Sequence, residues 1–383
     1  MGDTLKDTLD ALTKRYGYSV VTKGSETEDV RKIPLEIPAF DYVSGGGVPI
    51  NRITELYGDF SSLKSYLCYC AIAKFQKYDW ANNAPNVIQK VIFKTLKKGR
   101  GETSDFSLPE IESVQVRRGY KPVKKVKVKR CALVDLEGTY EKEWGAKLGI
   151  DNEALLYVRP GSLNQAIDII DALLSDDSIS LLVIDSMIAT GCDAETDASM
   201  ENEQMAVNAR FWNKATRKIT GAINRNPESD ITLMAINGAY SKVGIAYGDP
   251  EKVKNGVAFS LAKSLSIRTS ALKEIKAKIE GEEITVGRNI TLRNKKNKVG
   301  RPFLEATFYF SFVNDGALKA GQTDIAQQAI ELGLKADLID RKGNFYTYGT
   351  VTGNGMETFK NKLNDSGKLS ALVEQLYVGF NER

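Results

Sequence analysis

The chain has 383 residues, of which 42% are hydrophobic and 27% charged, and a formal net charge of +4, the composition of a soluble globular protein with one to three domains. It contains no histidine, which excludes histidine-based acid–base catalysis and histidine metal sites. No apolar run approaches the roughly 18 residues of a transmembrane helix, and the acidic N-terminus lacks an apolar secretory core. Four cysteines without metal-ligand spacing indicate reduced, mostly buried thiols, so we expect a cytoplasmic protein without membrane contacts.

The first predicted elements are an amphipathic helix and a polar linker. Apolar side chains recur every three or four residues over 3–16, which is the spacing of one helix face. The stretch TKGSETEDVRK (22–32) follows and is typical of a linker. Residues 44–49, SGGGVP, then predict a turn or loop.

A candidate phosphate-binding loop comes next. Residues 52–58 alternate apolar and polar side chains and predict a strand that ends at Gly58, and a helix of small and apolar residues follows the loop. Strand, glycine-opened loop and helix are the context of the pattern Gly-x-x-x-x-Gly-Lys-Ser/Thr. Gly58, Lys64 and Ser65 are in register with this pattern, but Leu63 occupies the position of the second glycine. A strand–turn–helix with a chance Lys-Ser pair is the alternative interpretation.

The chemistry of this loop needs mainly its backbone. Gly58 would let successive amides point inward as an anion nest, and the following helix N-terminus would add its positive end. Lys64 would reach the β- and γ-phosphates, and Ser65 would ligate Mg²⁺. Leu63 should begin the helix with φ below zero, its side chain capping the nucleotide pocket or packing behind the loop, so we expect ATP binding to survive. The predicted nucleotide-binding residues here are Gly58, Asp59, Phe60, Ser61, Ser62, Leu63, Lys64 and Ser65.

Positive charge is concentrated in residues 86–130, which carry 13 Lys/Arg against 4 Asp/Glu, a local charge of +9. Lysines alternate with valines near its end, and the segment predicts a basic, β-rich insertion. One strand face could form a stripe that binds DNA. The alternatives are solubilising lysines on an exposed strand edge, or a protein-partner or filament-stabilising role. The alternating lysines are Lys124, Lys125, Lys127 and Lys129.

Three apolar strands are predicted after the insertion, at 131–138, 180–186 and 231–238, with helices at 162–176 and 201–225 between them. Strands that alternate with helices predict a mostly parallel, twisted sheet with helices on both faces, an α/β fold. From about residue 260 the chain becomes strand-rich again. From about 320 it is helical and punctuated by glycine, which suggests a small C-terminal domain.

Acidic residues end two of these strands. Asp185 ends the apolar run LLVID, and Asp135 and Glu137 follow ALV. Ligands of open parallel sheets bind outside the carboxyl ends of the strands. Asp185 is therefore a candidate to support Mg²⁺, and Glu137 is a candidate base. The alternative is that these acids only cap the turns that follow.

Five segments, taken in chain order, resemble the RecA family of homologous-recombination ATPases from near residue 3 to about 350. The altered phosphate loop resembles that of phage recombinases of the UvsX type, in which a bulky residue can also replace the second glycine. The resemblance implies an α/β RecA-type P-loop ATPase core at 35–318 that contains the insertion 86–130, an N-terminal helix and protomer-linking oligomerisation segment at 1–34, and a small α/β C-terminal domain at 319–383. Val30 and Ile33 would supply an added strand to the adjacent protomer. The five segments are IPAFDYVSGGGVPINRITELYGDFSSLKS, CALVDLEGTYEKEWGAKLGI, LLVIDSMIAT, LMAINGAYSKVGIAYGDP and KKNKVGRPF.

The resemblance also implies roles for residues of the nucleotide site. Glu137 matches the catalytic glutamate that activates or orients the attacking water, and Asp185 matches the carboxylate that supports Mg²⁺. Glu141 stands where the family has an aspartate near the adenine. Phe312 lies near the position of an aromatic ring that stacks on the base.

Two lysines, Lys296 and Lys298, match a pair that reaches the ATP of the neighbouring subunit in the filament. There they would neutralise γ-phosphate charge, much as an arginine finger does. The alternative is a solvated basic turn.

Two DNA-contacting loops are implied, at 189–204 and 238–256. The second combines cations with an aromatic side chain, which suits single-stranded DNA. Gly238 stands where bacterial members carry a glutamine that senses the γ-phosphate, and Asn237 could take part of that role. The predicted DNA-binding residues are Lys242, Tyr247, Lys252 and Lys254.

The function implied is a DNA-dependent ATPase that uses ATP and Mg²⁺, forms a helical homo-oligomeric filament on single-stranded DNA, and exchanges strands with a homologous duplex. Two alternatives remain open. One is an ATP-binding filament protein without significant hydrolysis, and the other is a RecA-fold hexameric helicase. If the protein is phage-encoded, it acts in the cytoplasm of the bacterial host.

Overall fold

A computed structural model describes residues 2–16, 29–80, 129–187, 201–225, 230–241, 251–253, 256–279, 281–314 and 318–381. The predicted insertion, apart from its last two residues, lies outside this part of the chain, as do residues 189–200 of the first predicted DNA loop. The chain divides into two compact units, Met1–Arg31 and Lys32–Arg383. Helix α1 (Gly2–Tyr16) belongs to the first unit and confirms the predicted N-terminal helix.

The second unit contains the remaining helices and strands of the described chain. The first half comprises β1 (Lys32–Ile33), α2 (Pro38–Ser44), β2 (Val48–Pro49), β3 (Ile53–Gly58), α3 (Lys64–Lys77), β4 (Arg130–Asp135), α4 (Lys142–Lys147), β5 (Leu155–Val158), α5 (Leu163–Leu174), β6 (Ile179–Asp185) and α6 (Glu201–Arg225). The second half comprises β7 (Thr232–Ser241), β8 (Glu251–Val253), α7 (Gly256–Ala262), β9 (Leu265–Ile279), β10 (Glu282–Asn297), β11 (Glu305–Ser311), α8 (Ile325–Lys335), β12 (Asp340–Lys342), β13 (Phe345–Tyr348), β14 (Val351–Asn354), α9 (Met356–Asp365) and α10 (Lys368–Asn381).

A nine-stranded sheet forms the centre of this unit, in the order β11-β10-β9-β3-β7-β6-β4-β5, with β8 paired to β7. The pairs from β9 through β3, β7, β6 and β4 to β5 are parallel, whereas β9, β10 and β11 pair antiparallel. The predicted mostly parallel sheet is therefore confirmed. The parallel pairing brings the carboxyl ends of β3, β4 and β6 to one edge of the sheet.

Strand β6 shows why helices cover both faces. Successive side chains of a strand point to opposite faces, and here Leu181 and Val183 join one buried cluster while Leu182 and Ile184 join the other. The first cluster contains apolar residues of α2, α3 and the C-terminal helices, and the second contains those of α5, α6 and α7. No helix in the described ranges has both the length and the apolar character needed to cross a bilayer.

The short strand β1 corrects one expectation. Ile33 was expected to add a strand to a neighbouring protomer, but it is buried and pairs with Val48 of its own chain. Glycines 45–47 all have positive φ and return the chain from α2 to β2. A Cβ on Gly47 would lie 2.3 Å from the Ile33 carbonyl oxygen, so the close pairing requires glycine there.

A buried carboxyl group joins the C-terminal helix α10 to the start of the core. The Tyr377 hydroxyl donates to Asp41 Oδ2 at 2.6 Å, and the Leu35 amide donates to Oδ1 at 2.8 Å. The pKa of Asp41 is raised from 3.8 to about 7, mainly by burial and in part by the nearby Glu36, against the two hydrogen bonds and Lys74, which lower it. The carboxyl group is therefore half protonated near neutral pH.

We expect Asp41→Asn to remove a pH dependence of stability. Between the unfolded pKa near 3.8 and the folded pKa of about 7, the folded chain binds one proton more than the unfolded chain, so its stability falls as the pH rises through this window. The shift corresponds to on the order of 4 kcal/mol in the free energy of unfolding. Urea titrations of both proteins across this window measure the difference, and parallel pH curves would contradict the prediction.

Candidate active site

The loop between β3 and α3 lies directly against strand β9. Gly58 has φ 137°, and a Cβ built on it would lie 2.0 Å from the Thr269 carbonyl oxygen, so no larger residue fits. The Asp59 amide donates to the same carbonyl at 3.2 Å. The Ser62 and Thr269 hydroxyl oxygens lie 2.5 Å apart. Strand β9 therefore fixes the curvature of the loop, while Asp59, Phe60 and Ser61 are exposed.

The conformation of Leu63 differs from the expectation of a negative φ. Leu63 has φ 63° and ψ 28°, the left-handed region that the second glycine of the pattern adopts readily. It precedes the first helical residue, and its carbonyl oxygen accepts the Leu67 amide at 3.1 Å. The loop must curl before α3 starts, and this requirement overrides the preference of leucine for a negative φ. The side chain is partly buried and packs against the apolar core.

We expect Leu63→Gly to change the free energy of unfolding by less than about 1 kcal/mol, because relief of the left-handed strain and loss of half-buried apolar surface nearly cancel. ATP affinity should change by less than about threefold, since the loop amides keep their positions. Urea unfolding and titration with a fluorescent ATP analogue measure the two quantities. A stability loss of more than ~3 kcal/mol would show that the packing of the leucine side chain dominates.

Lys64 lies inside the loop. Its ammonium group donates to the Asp59 carbonyl at 2.6 Å and contacts the Gly58 carbonyl and the Ser62 hydroxyl, each at 3.3 Å. Burial lowers the pKa of Lys64, while the negative charges of Asp185, Asp59 and Glu137 raise it. The acids predicted on two other strand ends are thus close enough to act on this amine.

Asp185 and Ser65 form the candidate Mg²⁺ site. Asp185 is buried at the end of β6, and the Ser65 hydroxyl is hydrogen-bonded to it. The pKa of Asp185 is raised to about 6, mainly by burial and in part by Glu137 and Asp135, whereas the Ser65 hydrogen bond and Lys64 lower it. Within the described chain, Asp185 Oδ2 is buried without a hydrogen-bond partner. An unsatisfied carboxylate oxygen beside a hydroxyl fits Mg²⁺, which takes oxygen ligands and keeps several waters.

Glu137 lies just beyond the end of β4. Its Oε1 accepts the Ser186 hydroxyl at 2.6 Å, and its amide and that of Leu136 donate to the Asp185 carbonyl, at 3.4 and 2.6 Å. The carboxylate is therefore held beside the end of β6, where Asp185 and the Lys64 loop also lie. A carboxylate in this position can accept a proton from a water molecule near the phosphates.

Asp135, the other acid of this strand end, shapes the loop that carries Glu137. Its Oδ1 accepts the amides of Glu137 and Gly138 at 3.2 and 2.8 Å, and its Oδ2 accepts the Tyr140 amide at 2.9 Å and the Tyr157 hydroxyl at 3.1 Å. Both carboxylate oxygens of Asp135 therefore accept hydrogen bonds from its own chain. This agrees with the alternative that an acid at this strand end caps the turn that follows. The sequence signal is an aspartate followed by a glycine three residues later.

Glu141 and Phe312, the two residues predicted near the base, are linked by contacts. Glu141 caps α4 by accepting the Trp144 amide at 2.6 Å, and two such backbone bonds lower its pKa. The Trp144 ring packs against Gly321, where a Cβ would lie 2.4 Å from it. The Gly321 amide donates to the Ser311 carbonyl at 2.8 Å, next to the half-exposed Phe312. Sequence reasoning missed Trp144, whose amide donates to Glu141 and whose ring packs against Gly321.

The aromatic residues also connect this region to the phosphate loop. The Phe312 ring centroid lies 5.8 Å from that of Phe310, and Phe310 lies 4.8 Å from Tyr66 in an edge-to-face contact. Tyr66 follows the candidate Mg²⁺ ligand Ser65 in α3. The predicted base and phosphate positions therefore belong to one contiguous region.

Lys296 lies near the end of β10, Lys298 follows the strand, and both contact the last turn of α7. The Lys296 ammonium donates to the Ser260 carbonyl at 2.7 Å and to the Leu261 carbonyl at 3.3 Å. The Lys298 ammonium donates to the same Leu261 carbonyl at 2.8 Å. Carbonyl groups at a helix C-terminus attract cations, so both amines are ordered within the single chain.

The predicted second DNA loop is only partly described. Residues Lys242, Tyr247 and Lys254 lie outside the described ranges, and of Lys252 only the backbone is described, in β8. The segment was expected to be a loop from residue 238, but residues 239–241 pair antiparallel with 251–253. The backbone groups at the two ends of the segment therefore form hydrogen bonds with each other. Asn237, just before this pair, donates to Glu55 Oε1 at 3.0 Å and accepts the Gly238 amide at 2.9 Å.

Comparisons with known proteins agree with this geometry. A family model described as the RecA N-terminal domain matches residues 122–316, half of the chain. Protein RecA of Chlorobium chlorochromatii is 28% identical over 383 residues, covering 98% of this chain and 91% of the relative. Protein RecA of Rickettsia bellii is 29% identical over 372 residues, covering 96% and 90%. Protein RecA of Porphyromonas gingivalis is 28% identical over 370 residues, with the same coverage of 96% and 90%.

Proposed function

The chain belongs to the RecA family of ATP-dependent DNA recombinases, and from this premise we propose that it assembles as a helical filament on single-stranded DNA, hydrolyses ATP with Mg²⁺, and exchanges strands with a homologous duplex. The relatives are named for RecA and not for a helicase, so the hexameric helicase is not favoured. The resemblance to phage recombinases stays a prediction.

One observation carries the proposed chemistry. The negative charges of Asp185 and Glu137 both act on the Lys64 amine, although the three residues come from different strand ends. A lysine, a carboxylate with an unsatisfied oxygen and a second carboxylate thus converge beside a loop of backbone amides. This set matches the needs of phosphoryl transfer to water, which are phosphate binding, charge neutralisation and positioning of the nucleophile.

Each residue has a proposed task. The loop amides and Lys64 bind phosphate oxygens, and Ser65 and Asp185 would hold Mg²⁺, which would neutralise charge on the phosphates when bound. Glu137, held by the Ser186 hydroxyl, orients the attacking water and accepts its proton.

The remaining contacts come from the assembly and the DNA. Lys296 and Lys298 of one protomer stabilise the charge that develops on the phosphates bound by its neighbour. The four predicted DNA-binding residues at 242–254 contact the phosphates and bases of the single strand. Glu141 and Phe312 contact the adenine.

Joint-molecule formation between circular single-stranded DNA and homologous linear duplex tests the function. We expect joint molecules only with ATP and Mg²⁺, together with phosphate release that single-stranded DNA stimulates. A heterologous duplex is the control. Absence of joint molecules at saturating protein, despite DNA-stimulated phosphate release, would overturn the recombinase function and leave a DNA-dependent ATPase.

A further inference from the structure

A buried polar cluster surrounds Glu55, in the strand that leads into the phosphate loop. Glu55 has no exposed surface, and its Oε2 accepts the Lys263 ammonium and, at 2.5 Å, the Ser266 hydroxyl. Its Oε1 accepts the Asn237 amide group at 3.0 Å. Lys263 is 6% exposed, so both charges of this ion pair lie inside the protein. A buried ion pair is poor evidence for stability, since apolar residues of similar volume often serve as well.

Lys263 holds the turn that follows α7. Its backbone amide donates to the Phe259 carbonyl at 3.1 Å and closes the helix. The next residue, Ser264, donates its amide to the Ile53 carbonyl at 2.9 Å and accepts the Lys298 amide at 2.8 Å. The side chain of Lys263 and the backbone of Ser264 therefore fix the same turn to β3, two residues apart on that strand.

The last turn of α7 in turn supports Lys296 and Lys298, through the carbonyl groups of Ser260 and Leu261. The charges that act on Lys296 reflect this closeness. Burial lowers the pKa of Lys296 most, Lys298 and Lys263 lower it further, and the negative charge of Glu55 raises it. Glu55 is thus linked to both lysines by contact through α7, and to Lys296 by charge as well.

We propose that Glu55 is a positioning residue for ATP hydrolysis, which by pairing with Lys263 fixes the last turn of α7 and so sets where the ammonium groups of Lys296 and Lys298 lie. This inference rests on the proposed function, in which these two lysines act on the ATP of the neighbouring protomer. Stabilisation of a transition state by a cation depends steeply on its position. Glu55 itself touches neither nucleotide nor water in this scheme.

Three variants of the full-length protein separate positioning from stability. Glu55→Gln leaves the Lys263 charge buried without its partner, whereas the double variant Glu55→Gln/Lys263→Met leaves no buried charge. Lys360→Met is the matched control, since it breaks the partly buried ion pair between Lys360 of α9 and Asp324, the N-cap of α8. The measurements are thermal unfolding, and kcat and KM for ATP at saturating single-stranded DNA.

We expect Glu55→Gln to lower both kcat and the unfolding temperature. The double variant should recover the unfolding temperature but keep a kcat about 10- to 100-fold below that of the native chain, with KM changed by less than about twofold. Lys360→Met should lower the unfolding temperature without changing kcat. Recovery of kcat together with stability in the double variant would show a purely structural pair and overturn the inference. If Glu55→Gln does not fold, the double variant alone decides.

The pH dependence of kcat is a measurement that a loss of stability alone would not shift in opposite directions for the two variants. Lys298, Lys263 and Glu55 are the charged groups acting on Lys296. Glu55→Gln removes the negative charge that raises the pKa of Lys296, so the alkaline limb of the kcat profile should move to lower pH. Lys263→Met removes a positive charge that lowers this pKa, so the alkaline limb should move to higher pH. Shifts of both variants in the same direction, or no shift in either, would contradict the inference.

Lys296→Met distinguishes failure of this inference from failure of its premise. If Lys296→Met hydrolyses ATP as fast as the native chain, the proposed role of the lysine pair is wrong and the inference falls with it. If Lys296→Met is inactive while the double variant at Glu55 and Lys263 keeps the native kcat, the premise stands and only the inference is wrong. Inactive Lys296→Met together with a stable, slow double variant supports both.

Discussion

Replacing Glu137 with glutamine should lower DNA-stimulated ATP hydrolysis by about 10²- to 10⁴-fold, the range for loss of a positioned general base. The amide keeps the size of the carboxylate and can still accept the Ser186 hydroxyl, which the native Oε1 accepts at 2.6 Å. It cannot take a proton from water. Phosphate release at saturating single-stranded DNA measures the effect.

ATP binding should survive in the same variant, since Glu137 makes no contact with the backbone of the phosphate loop in the described contacts. The affinity for a fluorescent ATP analogue should therefore stay within about threefold of the native value. Glu143→Gln, which changes an exposed acid of α4, is the matched control and should hydrolyse ATP normally. Native hydrolysis in Glu137→Gln would show that another group activates the water.

Replacing Lys64 with alanine should instead weaken ATP binding itself. Its ammonium group lies among the Gly58 and Asp59 carbonyls and the Ser62 hydroxyl, within the loop expected to surround the phosphates. Loss of charge-assisted bonds to phosphate costs roughly 3 kcal/mol or more, which corresponds to at least about 100-fold in affinity. Titration with the fluorescent ATP analogue measures this loss.

The electrostatic reason is local. In the native chain Lys64 is a cation on which Asp185 and Glu137 act, so its removal takes away positive charge beside these carboxylates at the proposed triphosphate site. Lys77→Ala, at the other end of α3, is the matched control and should bind ATP normally. Equal phosphate release by Lys64→Ala and the native chain would place the nucleotide elsewhere.

The meeting of Lys64, Glu137 and Asp185 was predictable from the sequence. Each follows an apolar strand that alternates with helices, and parallel strands bring their carboxyl ends to one edge. The structure places the three residues at the ends of β3, β4 and β6, which are neighbours or near neighbours in the sheet. Local patterns were sufficient here because the fold class alone determines which strand ends meet.

Other features depend on tertiary contacts that no local pattern contains. The left-handed Leu63 results from packing of the loop on β9 and of its side chain on the core. The partners Glu55 and Lys263 are 208 residues apart in the chain. Helix α2 was missed because its seven residues, PAFDYVS, are too few for a periodic pattern, although a proline at its start is typical of helices.

The bonds between the two lysine ammonium groups and the carbonyls of α7 have a consequence for solitary protomers. Long cationic side chains normally lose roughly 2 kcal/mol of rotational freedom when they are immobilised. In this chain that loss occurs on folding, before any second copy arrives. In the proposed filament, a phosphate oxygen, which is the stronger acceptor, would bind a remaining N–H of each ammonium group while the α7 carbonyls keep their bonds. A free subunit would therefore already hold both ammonium groups where the ATP of a neighbour needs them.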